Sequence, residues 1–198
     1  MIRSLINKFS TTIYVQIWEN RIKVTDTQTG EVYDEAPLVA IETNSKGQKI
    51  ISAVGNEVKS MVPSSEIQII NPFSHPRALL NDFLVAEKLL QHAFHLLFCK
   101  KTLSPAPLVV MQPMEKIEGG LTMIERKAFT EMALGAGARE VALHQGSELS
   151  VSNIDFKKVK ADSAKNITSQ IELKPKKENY LALVIWVAVI VGVIWSSN

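Results

Sequence analysis

The residues whose types could coordinate a metal, attack a carbonyl or cradle a phosphate are few and scattered. His92 and His95 sit at i and i+3 of a helical pattern, but no third ligand or carboxylate cluster accompanies them, so they read as helix-surface residues rather than metal ligands. Cys99, between Phe98 and Lys100, lies in no Cys-His arrangement and reads as a small packing residue rather than a nucleophile. Gly119-Gly120 and the pair Gly135 and Gly137 could open a phosphate-binding turn, yet neither is followed by the Lys-Ser or Lys-Thr that a P-loop needs, and they read as loop glycines. The Glu125-Arg126-Lys127 run reads as a solvated helix face. These spacings lead to the expectation of no catalytic residue, no metal, no cofactor and no small-molecule substrate.

The elements that would position any site follow from periodicity. Of 198 residues, 46% are hydrophobic and 21% charged, enough apolar material for one modest core without disulfides, and a single cysteine excludes a disulfide scaffold. Runs at Thr12 to Ile17, Arg21 to Asp26, a third after a Thr-Gly turn, Pro37 to Thr43, KIISAVG, IQII, PLVVMQP and EVALH predict strands. Asn56 is expected to cap a short helix that Pro63 ends; Ala78 to Lys100 predicts a long helix with Leu80, Phe83, Leu84, Glu87, Leu90, Ala93, Phe94 and Leu97 on its apolar face; Met123 to Leu134 predicts another, closed by Gly135. The order predicts a three-layer α/β domain with a mixed sheet.

Both ends of the chain differ in character from this middle. Residues 157 to 198 carry a net charge of +4 and the rest −2, within a total of +2. A nucleic-acid-binding profile would place basic residues on the folded domain itself, so none is expected. Tyr180 to Trp195 reads YLALVIWVAVIVGVIW, uncharged throughout. As a helix it would span about 24 Å, a little short of the bilayer core, with Tyr180 and the following serines in the interface. The expected transmembrane helix, 180–196, includes Tyr180, Leu181, Ile185, Trp186, Ile190, Gly192, Ile194 and Trp195; the alternative is a fully surrounded core element. Lys174, Lys176 and Lys177 just before it place the body of the protein in the cytoplasm by the positive-inside rule. Residues 157–179 read as a basic linker. At the other end, Ile2, Leu5, Ile6 and Phe9 form a stripe with Arg3 and Lys8 off it, an amphipathic segment over 1–10 that either touches a membrane surface or packs on the domain.

Three longer stretches carry a family likeness: AVGNEVKSM (53 to 61), NDFLVAEKLLQHAF (81 to 94) and ERKAFTEMALGAGAREV (125 to 141), with Phe9-Ser10, Ala36-Pro37 and Asn71-Pro72 as weaker matches. Over about residues 1 to 156 the chain resembles the first half of MreB-type bacterial actins, the cytoskeletal proteins of rod-shaped bacteria. The resemblance implies actin-like domain I (ribonuclease H-like) over 11–156, with a small inserted subdomain at about 33–70. In that family the first strand ends in an Asp-Leu-Gly-Thr hairpin, whose glycine lets backbone amides approach nucleotide phosphates and whose aspartate helps order the metal. Counted from Phe9-Ser10, those positions hold Gln16, Ile17, Trp18 and Glu19. Gln16 lacks the charge, Trp18 blocks the close approach that glycine permits, and Glu19 would repel phosphate. The family's Glu-Glu-Pro becomes Gln145, Gly146 and Ser147, and the chain turns to linker where the other half of the fold would begin.

The resemblance with these departures implies a non-catalytic protein, with no nucleotide-binding residues, tethered to the bacterial inner membrane by one pass. Its expected role is in cell shape or envelope organisation, through inner-membrane lipids and MreB-type filaments or their membrane-associated partners. The alternative is an actin-fold scaffold or adaptor of a pilus or secretion machine.

Overall fold

Alternation along Thr12–Ile17 puts Ile13, Val15 and Ile17 on one face and Tyr14 and Gln16 on the other, and all five are buried. A strand buried on both sides belongs at the centre of a sheet, and that is its place in the computed structural model, which describes residues 11–99 and 105–170. The chain forms two compact units, Met1–Lys165 and Asn166–Asn198, of which the second has only residues 166–170 described. The segments 1–10 and 180–196, with every membrane residue expected there, lie outside the described residues.

The main sheet has the order β3-β2-β1-β7-β8, from β1 (Thr12–Ile17), β2 (Ile22–Asp26), β3 (Val32–Glu35), β7 (Leu108–Pro113) and β8 (Glu140–Leu143). β1 pairs antiparallel with β2 and parallel with β7, so the sheet is mixed. A second, all-antiparallel sheet has the order β5-β4-β6, from β4 (Val39–Thr43), β5 (Lys49–Val54) and β6 (Ile67–Ile70). Gly55 follows β5 at φ 84°, where a Cβ would lie 3.0 Å from a Glu35 carboxylate oxygen and 3.2 Å from the Tyr33 hydroxyl. Only glycine takes that turn without strain and lets the two sheets approach.

Helices α1 (Phe83–Phe98) and α2 (Met123–Gly135) cover one face of the main sheet. Ala86, Leu89, Leu90 and Ala93 of α1 and Phe129, Met132 and Ala133 of α2 meet Ile13, Val15 and Ile17 there. α1 begins at Phe83, not Ala78, because the Asp82 carboxylate caps it, accepting from the Val85 N–H at 3.1 Å. Its buried face is Val85, Ala86, Leu89, Leu90, Ala93, Phe94 and Leu97; Leu84, expected inside, is 71% exposed. Cys99, at the end of α1, is exposed rather than packed. Asn56 is not a helix cap: it lies inside the 3-10 turn Gly55–Ser60, whose preceding Val54 N–H donates to the Glu57 carboxylate.

The largest departure from the sequence reading is on the reverse face. Of residues 157–179, expected to be linker, 157–170 continue a helix that begins at Phe156, α3 (Phe156–Gln170). The Asp155 side chain accepts from the N–H groups of Lys157 and Lys158, and Phe156 and Val159, one turn apart, pack on Tyr14, Val110 and Ala142. Two apolar residues in a lysine-rich stretch make too short a period to announce a helix, but with Leu149, Val151 and Ile154 they cover the reverse face. Phe156→Ala is expected to destabilise the domain by about 3 kcal/mol. Lys160→Ala, which breaks an exposed pair with Glu140 (2.6 Å), should cost under about 1 kcal/mol. Denaturant unfolding of both variants checks this, and equal small losses would return the segment to linker status.

Candidate functional site

The polar groups of this fold converge where β1 ends and turns into β2. The hairpin closes through the Trp18 N–H and the Arg21 carbonyl (2.8 Å). Arg21 lies over the Trp18 ring, 5.1 Å from its centroid, and its guanidinium grips Asp34 of β3 at 2.7 and 2.5 Å. That pairing holds the Asp34 carboxyl below the usual carboxylate range.

Glu19 at the hairpin tip is held by three contacts from two separate segments. Its N–H donates to the Glu115 carboxylate at 2.7 Å, its own carboxylate pairs with Lys116 at 2.8 Å, and its carbonyl accepts from the Asn71 amide at 2.8 Å. Lys116 also donates to the His75 carbonyl at 2.6 Å. Glu115 and Lys116 follow β7, and Lys116 has φ 56°, unusual for a residue with a side chain. That conformation costs about 1–2 kcal/mol and turns two consecutive residues toward one partner.

One residue pair inward, Gln16 and Gln112 stand side by side in the β1–β7 register, both fully buried. Gln16 donates to the Glu148 carboxylate at 2.8 Å, while its own Oε1 finds no partner among the described residues. Gln112 accepts from the Tyr14 hydroxyl and donates to the carbonyls of Gly146 (2.9 Å) and Ser147 (3.3 Å). The Leu149 N–H donates to Tyr14 at 3.1 Å, so three side chains of the central strands stitch residues 146–149 onto the reverse face. Burial raises the Tyr14 phenol, opposed by the Leu149 N–H and reinforced by Glu148.

The five expected positions therefore fall into two groups. Gln16, Trp18 and Glu19 lie on one hairpin and the strand leading to it. Gln145 and Gly146 follow β8, Gln145 accepting from Arg126 on α2 and Gly146 from Gln112. Arg126, expected on a solvated face, is 4% exposed, because its place on α2 turns it toward Gln145. Sequence reasoning missed Tyr14, Asn71, Gln112, Glu115, Lys116 and Glu148. For Tyr14 and Gln112 a signal existed, polar-tipped residues within apolar strands; Glu115 and Lys116 had none.

Among the described residues no group of His, Cys, Asp and Glu could hold a metal ion, and no helix is long and apolar enough to cross a membrane. His92 packs edge-on to Tyr33, with ring centroids 6.2 Å apart. Apart from the hairpin, the surface carries an apolar groove of about 590 Å³ lined by Phe83, Met123, Ile124, Lys127, Ala128 and Glu131. Ile124 there is 82% exposed.

The family model described as MreB/Mbl protein matches residues 11–154. Cell shape-determining protein MreB of Haemophilus influenzae is 36% identical over 115 residues, which is 58% of this chain and 32% of that protein. The same protein of Escherichia coli (strain K12) is 36% identical over 117 residues, with the same coverage. The chain thus spans about a third of the length of the curated relatives it matches. Among solved structures, MreB5 of Spiroplasma citri bound to AMPPNP is similar with a TM-score of 0.55 at 21% identity, over 69% of this chain and 38% of that one. Its ADP-bound form gives 0.54 at 23% identity. The shared architecture is the actin-like α/β fold with its mixed sheet.

Tyr33, beside the hairpin's Asp34, supplies a pH test of this packing. Burial pushes its phenol well up, with Glu35 and Glu57 adding to the shift, and its hydroxyl has no partner among the described residues. A phenol raised on folding contributes stability that is complete below pH about 10 and is lost as pH rises toward the folded value, by about 1.4 kcal/mol per pH unit. Tyr33→Phe should leave stability at pH 7 within about 1 kcal/mol of the parent and remove this share of the alkaline loss. Denaturant unfolding at pH 8 and pH 11 measures it; an unchanged alkaline slope would refute it.

Proposed function

This chain belongs to the MreB/Mbl family, whose role is in the cell-shape cytoskeleton, and from that premise we propose that it is a non-catalytic, membrane-tethered member that docks onto actin-like filaments or their membrane partners. The observation that carries the non-catalytic part is the hairpin after β1. The Glu19 amide donates to Glu115 and the Gln16 amide to Glu148, so the donors there are engaged by carboxylates of the chain itself. Glu19 adds a third carboxylate, partly balanced by Lys116. A phosphate entering here would meet like charge and spent donors, and a magnesium ion would meet an amide at Gln16. These residues do not fit a magnesium nucleotide, because phosphoryl chemistry rests on pre-organised positive potential.

Support for docking comes from the groove between the starts of α1 and α2. Leu84, Met123 and Ile124 are exposed apolar side chains at that end, and Lys127 and Glu131 supply a charged rim. A well-exposed apolar cluster with a polar border is the composition of a partner surface. The membrane part of the reading rests on residues 180–196 and the stripe at Ile2, Leu5, Ile6 and Phe9, which together would raise the local concentration of the domain where filaments lie. The site of action on this reading is the inner membrane, with the domain in the cytoplasm.

The full chain in detergent is expected to co-sediment with filaments of an MreB-type protein without added nucleotide, and Ile124→Asp should weaken that at least about tenfold, the loss of one buried anchor. Calorimetry of the full chain with Mg-ATP should give no binding at micromolar concentrations. Low-micromolar Mg-ATP affinity would sink the non-catalytic part. Crosslinking in membranes that recovered only pilus or secretion components would sink the filament part and favour the adaptor role.

A further inference from the structure

The Glu115 contact is more specific than a turn needs. A carboxylate on a backbone N–H at 2.7 Å is a charge-assisted bond, and it falls on the first amide beyond the turn-closing Trp18 N–H. Exposed hairpin amides of this kind are anion-binding groups. Here the anion comes from the chain: Lys116 takes an unfavourable φ of 56°, and the pair of residues at 115 and 116 reaches the Glu19 amide and the Glu19 carboxylate together. Asn71 fixes the Glu19 carbonyl from the opposite direction.

We infer that Glu115 is a resident anion, holding on the Glu19 amide the position that a ligand phosphate or carboxylate would take, so that the hairpin is locked in one conformation with nothing bound. The inference rests on the non-nucleotide reading above and adds its cause: the site is not merely stripped of ligands but filled. Glu148 makes a different contact nearby, accepting from the Gln16 side-chain amide rather than from a backbone N–H. With Glu115 shortened, the Glu19 backbone N–H is free to donate to an incoming anion, and the ammonium of Lys116 already sits on the carboxylate of the same residue.

Chemical rescue tests this on the full chain in detergent. In Glu115→Ala, amide hydrogen exchange at Glu19 should be at least tenfold faster than in the parent, and sodium acetate or sodium phosphate should slow it again where sodium chloride at equal ionic strength does not. In the parent, none of the three salts should change it. Exchange at Glu19 that is the same in variant and parent would overturn the inference. So would faster exchange that neither acetate nor phosphate reverses, because Glu115 would then only buttress the turn, and so would slowing by phosphate in the parent. If Glu115→Ala fails to fold, Glu115→Gln serves, with partial loss of protection expected and full protection overturning the idea. The two readings fail separately: low-micromolar Mg-ATP binding by the parent with Glu115-dependent protection intact removes the non-nucleotide reading alone, whereas no Mg-ATP binding with Glu115-independent protection removes the resident anion alone.

Discussion

The hold on Glu19 is the constraint from which the rest of the structure can be reasoned. Two segments far apart in sequence end on one residue through three contacts: Glu115 and Lys116 after β7, and Asn71 after β6. Asn71 belongs to the exit of the small sheet and the other two to the exit of the main one. The hairpin is therefore one point at which the two sheets are tied by polar contacts; the other is beside Gly55, where the Asn56 N–H donates to Glu35 at 2.6 Å. Each contact is modest alone, but a carboxylate accepting a buried-edge amide and an ammonium facing a carboxylate reinforce one another where water is partly excluded.

From that edge the alternation of β1 sets two different worlds on its two faces. Ile13, Val15 and Ile17 see only apolar partners from α1 and α2, and the stabilisation there is transfer from water and close packing. Tyr14 and Gln16 look the other way, into a layer where Gln112 and Glu148 must satisfy every polar atom or leave it costly. The reverse face is thin in apolar cover, with α3 contributing Phe156 and Val159. Stitching residues 146–149 down through Tyr14 and Gln112 is what completes it.

Local physics explains what was legible beforehand. β1, β5, β6 and β7 follow from short β-rich apolar runs between turn residues, and α2 from its Thr122 and Glu125 capping box ahead of an apolar stripe. The actin-like class was legible because helices and strands of the core carry long matching stretches. Ala78 and Leu79 favour helix by propensity alone, which points to a start one turn and more before the one that the Asp82 cap sets for α1. The site was legible at Gln16, Trp18 and Glu19 only as a set of departures. Its actual partners lie ninety-six residues away in the case of Glu115 and depend on a left-handed lysine, and no window along the chain contains both. Arg126 and Gln145 illustrate the same limit, since a charged residue in a helical stripe reads as solvated until a neighbouring strand end is placed over it.

A ligand changes a conformational equilibrium only through contacts that differ between the two states. In a hairpin whose amide waits for a ligand, binding makes such a contact, and the turn can report occupancy to the surfaces beyond it. Here the Glu19 backbone N–H is engaged by Glu115 and the Gln16 side-chain amide by Glu148, and on the proposed reading an incoming anion would first have to displace a tethered carboxylate. A tethered competitor acts at an effective concentration set by its short loop, far above that of a free metabolite. On the proposed reading the apolar groove at Phe83, Met123 and Ile124 is then presented at all times rather than on a nucleotide signal. On the same reading, a surface that is not switched by ligand would be controlled by where it is held, which is the role proposed for the apolar run at 180–196.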